Sequence, residues 1–380
     1  MGITWKWAIV RFPPASFDPH AGAGPGSNLS LIQLTVDDLR CLQHAELSLD
    51  PQLNLIWGSN GSGKTSLLEA IFLLGRGRSF RTRNSERLIR HGQSRLTVFG
   101  RTDGMPSHAM GVQVAKTGGT TARISGAPAG SLTELSEAFP VQVIDPGVHK
   151  LVEEGGFRRR RWMDWVVFHV EHGFADLWVR YTRAVKQRNA ALKTQSAQAV
   201  VWEPEVARLG ELIAQARREM LDQMQPSWRR AVVTLTGLEV DLHYSRGWSQ
   251  EVSLAQALQD SRARDLARGL THSGPHRADV LVRLGGRAAR EVLSRGQQKL
   301  VAIAMTLAQI QLLREKTSIT PTLLLDDPAA ELDGAHLQKF IEEVTRLQCQ
   351  LVVTSLQAES DLFGRPERVF HVEQGRVVPV

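Results

Sequence analysis

The sequence has few cysteines and no long apolar run. Only Cys41 and Cys349 are cysteines among 380 residues, which gives neither a disulfide framework nor the spacing of a zinc site. Sparse cysteine is typical of a reducing compartment, so we expect a cytoplasmic protein with both cysteines in the core. No stretch approaches the roughly 18–20 apolar residues of a membrane helix. The N-terminus lacks a basic region followed by an apolar run, so no secretory signal is predicted.

The charge balance is basic. The formal net charge is +7, which is compatible with a partner rich in phosphate. Many basic proteins bind no nucleic acid, so the charge alone does not decide the partner. The length of 380 residues favours two lobes around at least one large core.

The composition changes along the chain. Residues 1–28 are rich in Gly and Pro and are predicted to be a disordered extension. Strand-like segments and a helix indicate a first lobe over 29–140, and residues 141–270 are dominated by long helices without sustained heptads. Residues 271–380 return to alternating strands and helices. The pattern predicts an α/β fold: a mixed sheet with flanking helices, plus a mainly helical second lobe.

The strongest motif is a phosphate loop between a predicted strand and a predicted helix. Its glycines let backbone N–H groups surround phosphate oxygens, and the helix N-terminus adds positive charge. Lys64 is predicted to neutralise the β- and γ-phosphates of ATP, and the Thr65 hydroxyl to bind Mg²⁺. The predicted ATP-binding residues are Gly58, Ser59, Asn60, Gly61, Ser62, Gly63, Lys64, Thr65 and Ser66.

A second motif is an aliphatic strand that ends in two acids, Asp326 and Asp327. Alone, it could be a strand that ends in a polar turn. Together with the phosphate loop it predicts that Asp326 holds Mg²⁺ and that Asp327 acts as the catalytic base that orients water. Many ATPases of this type carry Glu at the second position. Because Asp is one methylene shorter, we expect slow turnover.

The segment Leu293–Lys299 resembles the signature motif of ABC ATPases and opens a predicted helix. The resemblance implies that Ser294, Gly296 and Gln297 contact the γ-phosphate of ATP held by a second subunit. The gap between Lys64 and Ser294 is wider than in transporter ATPases and narrower than in SMC proteins. An intermediate gap filled by a helical lobe is similar to that of the RecF family.

Further segments carry the same resemblance in the same order. From about Leu31 to Val380 the chain resembles the RecF family of ABC/SMC-like ATPases, which implies an ABC-type ATPase head. The segments are Leu74–Thr82, Gly155–Trp165, Lys186–Leu192 and Gly274–Asp279.

The resemblance also implies roles for three single residues. Gln142 matches the Q-loop, so it would be a catalytic residue and a third Mg²⁺ ligand that couples Mg²⁺ and the γ-phosphate to lobe motion. Asp333 matches the D-loop, which would contact the partner subunit, and Arg40 matches an arginine near the nucleotide. The chain departs from the family at Ala330, where a serine is expected. Strand Leu351–Ser355 ends without the switch histidine of transporters.

The resemblance implies a function. ATP would join two copies into a homodimer that clamps double-stranded DNA near single-strand junctions of gapped DNA. A weak, DNA-stimulated ATPase would reset the clamp. The implied partners are RecR and RecO, and through them RecA, with a link to the SOS response and none to a membrane. A transporter subunit, a structural SMC protein and an ABC-type nuclease are the alternatives, disfavoured by the missing switch histidine, heptads and extra carboxylate cluster.

Two arginine clusters remain open to interpretation. Arg76, Arg78, Arg81 and Arg83 crowd one loop, and Arg158–Arg161 another segment. They could contact DNA phosphates. They could equally be solvated surface charge, or pair with ATP phosphates or core carboxylates. The sequence favours a packed structural role for His276 and core positions for the tryptophans.

Overall fold

The structure, a computed structural model, describes residues 29–380 except 105–106, 195–196, 318 and 359–360. The predicted disordered extension, residues 1–28, lies outside the described residues. The strands are β1 (Leu31–Leu39), β2 (Leu42–Ser48), β3 (Leu53–Trp57), β4 (Arg95–Thr102), β5 (Ala109–Ala115), β6 (Gly119–Ile124), β7 (Ala127–Pro128), β8 (Val141–Ile144), β9 (Asp241–Ser245), β10 (Asp279–Leu284), β11 (Arg287–Ala288), β12 (Thr322–Leu325), β13 (Leu351–Ser355), β14 (Arg368–Glu373) and β15 (Arg376–Pro379). The α-helices are α1 (Lys64–Arg76), α2 (Thr133–Ala138), α3 (Lys150–Glu153), α4 (Gly156–Val170), α5 (Phe174–Lys193), α6 (Glu203–Thr236), α7 (Leu254–Arg268), α8 (Ala289–Val292), α9 (Arg295–Thr317), α10 (Pro328–Glu331) and α11 (Gly334–Arg346).

The central sheet has the strand order β15-β14-β3-β13-β12-β8. From β14 to β8 all neighbours are parallel, and β15 is antiparallel to β14. Strands β12 and β13 are buried along their whole length, which explains why both are nearly continuous aliphatic runs. Because parallel strands end at the same edge, the carboxyl ends of β3, β13, β12 and β8 lie side by side. Ligands of open α/β sheets bind at such an edge.

Helix α1 lies between two sheets. The second sheet is antiparallel with the order β2-β1-β4-β5-β6-β7, and its strands alternate between buried and solvent-facing residues. Helix α1 packs against β1, β4 and β5 on one side and against β8 and β13 on the other. It is therefore apolar on nearly all sides, as a core helix is. Its end is capped by Gly77 in the left-handed conformation.

The helical lobe contains α4, α5, α6 and α7 and the small antiparallel sheet β11-β10-β9. Helix α6 runs for 34 residues and packs along α9, the helix that leads into β12. One apolar cluster extends from α6 through α9 to Leu323 and Leu325 of the central sheet. The helical lobe and the ATPase core therefore share a core, and α9 connects them mechanically.

The motif Lys186–Leu192 has a structural role in this lobe. The Arg188 side chain is fully buried and donates to Asp265 at 2.7 Å, to Thr271 at 2.9 Å and to Glu203 at 3.0 Å. The neighbouring Asn189 accepts hydrogen bonds from the backbone and the hydroxyl of Thr271. The motif thus ties α5 to α7 and to the segment that follows α7.

The motif Gly274–Asp279 is also structural. The ring of His276 lies between the Tyr181 hydroxyl, 2.6 Å from Nδ1, and the carbonyl of Thr271, 3.0 Å from Nε2. Burial lowers the pKa of His276 to about 4, so the ring is neutral near pH 7. Arg217 donates to the Pro275 carbonyl at 2.7 Å. His276 is a packed residue, the interpretation that the sequence favours.

The structure adds detail to the predicted lobe boundaries and corrects one prediction about the cysteines. Strand β8 belongs to the central sheet although the predicted helical lobe begins at residue 141, and β9 pairs with β10 across the predicted boundary at residue 270. The prediction of two core cysteines is confirmed for Cys349 and wrong for Cys41, which is exposed. Cys41 lies in the tight turn between β1 and β2; its sulfur is 3.9 Å from the Ser66 hydroxyl, yet the residue as a whole remains exposed. Within the described part of the chain, none of the helices combines the length and apolarity of a membrane-crossing segment.

Candidate nucleotide site

The phosphate loop connects the end of β3 to the start of α1. Its first residue, Gly58, has φ 153°, and a Cβ there would lie 2.2 Å from the carbonyl oxygen of Val372. No other residue fits this position, because both the backbone conformation and the space require glycine. The N–H of Gly58 donates to Ser355 at 3.2 Å and the N–H of Gly375 to Ser62 at 2.8 Å. The loop is therefore held by β13 and by the β14–β15 turn.

The remaining loop residues divide into exposed and buried ones. Ser59, Asn60 and Gly61 are exposed, whereas Ser62, Gly63, Lys64 and Ser66 are buried. Within the described part of the chain, the buried hydroxyl of Ser62 has no hydrogen-bond partner. A buried polar atom of this kind is uncommon unless a ligand completes it. A phosphate oxygen is an acceptor of the right chemistry.

Lys64 is held by its own loop. Its ammonium donates to the carbonyls of Gly58 at 2.7 Å and Ser59 at 3.0 Å. Burial lowers the pKa of Lys64, and the charges of Asp327 and Asp326 oppose that shift. The ammonium thus lies inside the loop, close to both acids at the end of β12. This is the position from which it can exchange carbonyl contacts for phosphate oxygens.

Of the three predicted Mg²⁺ ligands, Thr65 and Asp326 are adjacent. The Thr65 hydroxyl lies 3.0 and 3.1 Å from the two carboxylate oxygens of Asp326. Thr354 of β13 donates from its hydroxyl to Asp326 at 3.0 Å, and the same oxygen accepts the N–H of Asp327 at 2.9 Å. Sequence reasoning missed Thr354. A hydroxyl near the end of the buried aliphatic strand β13 was the available signal.

Asp327 follows Asp326 in an unusual conformation. Its φ is 50°, a left-handed value that is uncommon for a residue other than glycine and is often found at functional sites. Burial raises the pKa of Asp327, while Lys64 lowers it and Asp326 raises it further. A carboxylate with a raised pKa is a better proton acceptor than an ordinary one. The geometry fits the role of base that the sequence predicts.

At the end of β8 the structure brings Asp145, not Gln142, to this edge. The register pairs Gln142 with Leu323 and Ile144 with Leu325, so Asp145 stands beside Asp326. Burial and the charge of Asp326 raise the pKa of Asp145. The amide of Gln142 instead donates to Gln309 of α9 at 2.7 Å. Sequence reasoning missed Asp145, although it ends a strand as Asp326 does.

The signature segment forms a separate surface at the start of α9. The Ser294 hydroxyl accepts the N–H of Gln297 at 3.3 Å, and the Gln297 side chain accepts the N–H of Ser294 at 2.9 Å. This reciprocal pair is a capping box. Ser294 and Gly296 are exposed. The structure therefore does not join them to the cluster around Lys64 within one chain.

Asp333 lies near the signature helix. It caps α11 by accepting the N–H of His336 at 3.1 Å, and this contact lowers the pKa of Asp333. Its side chain is largely exposed. Lys299 of α9 forms an ion pair with Glu331 of α10. The signature helix and the predicted D-loop are thus connected within one chain.

Arg40 occupies the β1–β2 turn and is bound to the phosphate-loop helix. Its guanidinium donates to both carboxylate oxygens of Glu69, one of them at 2.9 Å. The Ser79 hydroxyl donates to the same carboxylate. Glu69 is completely buried in α1. Arg40 therefore links the antiparallel sheet, the phosphate-loop helix and the loop after it.

The arginines of α4 have different environments. Arg158 pairs with Glu154, and Arg159 forms a bidentate pair with Asp279 at 2.9 Å. Arg160 donates to the carbonyl of Ala278. The structure supplies a protein partner for three members of the run. Arg161 has no ion pair or hydrogen bond among the described residues; its guanidinium lies 5.5 Å from the centre of the Phe157 ring and near Arg76 and Arg78.

The donor set suits ATP with Mg²⁺. The Thr65 hydroxyl and the Asp326 carboxylate are the oxygen donors that Mg²⁺ prefers, and such sites hold the ion through one or two protein groups, phosphate and water. The loop offers Lys64, the Ser62 hydroxyl and backbone N–H groups to phosphate. When bound, Mg²⁺ would neutralise charge on the phosphates. The fold and the site thus define a phosphate-loop ATPase head of ABC type with a helical insertion.

Comparisons with known proteins identify the family within this class of ATPases. The sequence matches the family described as "RecF/RecN/SMC N terminal domain" over residues 30–376. A protein of Shewanella sp. (strain MR-4) named DNA replication and repair protein RecF is 38% identical over 93% of this chain and 100% of its own length. A protein of Cellvibrio japonicus (strain Ueda107) with the same name is 39% identical over 92% of this chain and 99% of its own. The chain belongs to the RecF family.

Solved structures show the same fold. The recombination mediator protein RecF with ATP superimposes with a TM-score of 0.83 and 24% identity, over 95% of this chain and 99% of that one. An Smc head domain derived from Pyrococcus furiosus gives a TM-score of 0.57 at 14% identity, over 92% of this chain and 96% of that one. At these identities the likeness concerns the fold alone. The predicted ABC-type head is confirmed.

Proposed function

We propose that this protein is an ATP-driven DNA clamp of recombinational gap repair. The observation that carries the proposal is the cluster at the carboxyl edge of the central sheet, where Lys64, Thr65 and Asp326 converge. Such a cluster is suited to bind and hydrolyse ATP with Mg²⁺. The names of the relatives, DNA replication and repair proteins, support the DNA-related part.

Within the site, each residue has a distinct task. Lys64 exchanges its two carbonyl contacts for phosphate oxygens and neutralises their charge. Asp327 accepts a proton from the attacking water, and Thr354 holds the backbone of Asp327 in place. The short Asp327 side chain makes hydrolysis slow. A slow ATPase suits a switch whose bound state must persist.

Two copies close around two ATP molecules. Ser294 and Gly296 are exposed at the start of α9, a helix of 23 residues whose N-terminus favours an anion. Each subunit offers this surface to the γ-phosphate of ATP held by the other, and Asp333 contacts the partner subunit. Gln142 relays closure to the helical lobe through Gln309, which donates to the Trp162 carbonyl on α4.

Closure holds duplex DNA near single-strand junctions. The net charge of +7 supports a phosphate-rich partner. The family resemblance supports RecR and RecO as partners, RecA loading and SOS induction as outcomes, and action in the cytoplasm. DNA-stimulated hydrolysis then opens the dimer and releases the DNA.

The test is fluorescence anisotropy of a labelled duplex with and without Mg-ATP. We expect ATP to tighten binding by the wild type at least about tenfold, which is about 1.4 kcal/mol. Lys64→Met should lose this gain because it cannot hold the nucleotide. Ser294→Arg should still bind ATP but lose the gain, because it blocks dimer closure. Lys116→Met, an exposed lysine near the end of β5, is the matched control.

The outcomes separate the steps. If Lys64→Met and Ser294→Arg respond to ATP as the wild type does, the ATP-gated clamp is wrong. Sedimentation with Mg-ATP tests the dimer directly, and only the wild type and Lys116→Met should shift in mass. If the wild type and Lys116→Met dimerise with ATP but bind DNA no more tightly than without ATP, the ATP-dependent dimer is supported and the DNA clamp is wrong.

A further inference from the structure

A cavity of about 360 Å³ lies between the end of α1 and the helices α4 and α5, on the far end of α1 from the phosphate loop. Its walls combine arginines with apolar and aromatic side chains. The nucleotide site uses none of these residues. The residues that carry the argument are Arg76, Arg78, Leu132, Arg161, Trp165 and Val179.

The positive charges of this arginine pocket lack counter-charges. Among the described residues, no ion pair or hydrogen bond engages the guanidinium of Arg76, Arg78 or Arg161; Arg76 instead lies 5.8 Å from the Trp165 ring. Asp164 also lines the pocket, but it pairs with Arg217 at 2.7 and 2.9 Å. Burial lowers the pKa of all three arginines, and nearby guanidinium groups lower it further: Arg78 and Arg161 act on Arg76, Arg161 acts on Arg78, and Arg158 and Arg83 act on Arg161. Like charges held together without a carboxylate favour an anionic ligand.

The rim of the pocket is apolar. Leu132 is 40% exposed and Val179 is 60% exposed, and both line the cavity. Trp165 is almost completely buried, yet its indole N–H finds no hydrogen-bond partner among the residues that the structure describes. The pocket therefore presents positive charge, one unsatisfied donor in its wall and aliphatic surface at its entrance.

The combination of positive charge and apolar surface decides whether a nucleic acid or a polypeptide fits the pocket. Duplex DNA supplies phosphates, but the only apolar groups of its backbone are the small C–H faces of deoxyribose, which lie between phosphates and do not match the aliphatic surface of Leu132 and Val179. Unpaired bases would need an open aromatic face, but Trp165 and Phe174 are buried. Phe168 and Trp178 are partly buried against the core, and the Arg217 guanidinium lies 5.0 Å from the centre of the Trp178 ring. A polypeptide can carry carboxylates and apolar side chains within a few residues. We propose that the arginine pocket docks a partner protein through a short segment in which acidic and apolar residues are combined.

The pocket tethers that partner independently of the nucleotide. Carboxylates of the segment pair with Arg76, Arg78 and Arg161, and its apolar side chains cover Leu132 and Val179. Arginine forms bidentate, charge-assisted hydrogen bonds with carboxylates. Binding should therefore require both the acidic and the apolar residues of the segment.

The test uses three labelled peptides and the full chain without nucleotide. The first peptide combines Asp and Glu with Leu and Phe, the second has Asn and Gln in place of the acids, and the third has Ser in place of the apolar residues. We expect anisotropy to show binding of the first that is at least about tenfold tighter than of either control. Arg161→Gln and Val179→Ser should each weaken it about tenfold. Arg81→Gln, exposed on the same loop but outside the pocket, should not.

Duplex DNA supplies the opposing outcome. If Arg161→Gln weakens binding of labelled duplex and the acidic peptide does not bind the wild type, the pocket belongs to nucleic acid and the proposal is overturned. Equal binding of the acidic peptide to wild type and to both pocket variants would also overturn it. Val179→Ser changes an exposed side chain, so a loss there cannot be attributed to misfolding. Because no nucleotide is added, failure of the ATP-gated clamp would leave this result unaffected.

Discussion

Buried charges occur both in the core of the helical lobe and at the nucleotide edge, the carboxyl edge of the central sheet where the nucleotide site lies. Only in the helical lobe are these charges neutralised by partners of opposite sign. In the helical lobe, the single charge of Arg188 faces two carboxylates, Asp265 and Glu203, which also bind His272 and Arg262. At the edge, Asp145 and Asp327 lie beside Asp326, with Lys64 as a nearby cation.

This difference separates structural charges from functional ones. A buried ion that is already paired with an opposite charge does not require a ligand to neutralise it, and it contributes to a defined fold. A site with an excess of one sign is less stable alone, and it gains when a ligand brings the opposite charge. The arginine pocket resembles the nucleotide edge in this respect, with the sign reversed. Removing a charge should therefore have opposite effects in the two kinds of region.

The largest effect is expected for Arg188→Ala. The change leaves Asp265 and Glu203 buried with fewer partners, and loss of one member of a buried pair lowers the free energy of unfolding by about 3–5 kcal/mol. Urea denaturation followed by circular dichroism measures it. Arg180→Ala removes an exposed pair with Glu205 and should lower it by at most about 1 kcal/mol. Equal losses in both variants would contradict the comparison.

Asp326→Asn should show the opposite pattern. Without ligand, the variant loses one of three clustered negative charges, so its free energy of unfolding should equal or exceed that of the wild type by up to about 1 kcal/mol. With Mg-ATP at a hundred times its Kd, the wild type should gain about 2.7 kcal/mol, and the variant should gain little. Thermal unfolding with and without Mg-ATP measures both terms. A ligand-free variant that is much less stable than the wild type would show that Asp326 is structural.

Much of this edge could be predicted from the sequence, because its main motifs are local. The phosphate loop and the pair Asp326–Asp327 each follow a strand, and the carboxyl ends of parallel strands meet. Thr354 could not be assigned in the same way. Its contact with both acids depends on β13 lying between β3 and β12, a strand order that no local pattern encodes.

The side chains of Gln142 and of Arg158–Arg161 show a second limit of prediction from the sequence, namely the direction in which each side chain points. The position of Gln142 depends on the register between β8 and β12, and a strand turns successive side chains to opposite faces. Four consecutive arginines on α4 point in directions about 100° apart. Arg158 and Arg159 therefore reach carboxylates, while Arg161 reaches the pocket. A cluster in the sequence was not a cluster in space.

A smaller effect on the free energy of unfolding is expected from His276, because its protonation at low pH places an unpaired positive charge in the helical lobe. Its pKa in the folded state is about 4, below the usual 6.5, so between these values the unfolded state binds the proton more readily. Stability should thus fall as the pH drops from about 6.5 towards 4, by up to about 1.4 kcal/mol per pH unit. His276→Gln should lose on the order of 1 kcal/mol less than the wild type between pH 7.5 and 5.5 in urea denaturation. Identical pH profiles would mean that the ring is not buried as a neutral group.

The smallest effect is expected for Arg161→Gln. Because Arg161 has no carboxylate partner among the described residues and lies near Arg76 and Arg78, its removal relieves repulsion. The free energy of unfolding should stay within about 0.5 kcal/mol of the wild type or rise. The matched change is Arg159→Gln on the same helix, which breaks the pair with Asp279 and should be clearly destabilising. If Arg161→Gln proves as destabilising as Arg159→Gln, the guanidinium of Arg161 has a structural role and is not free to bind a ligand in the pocket.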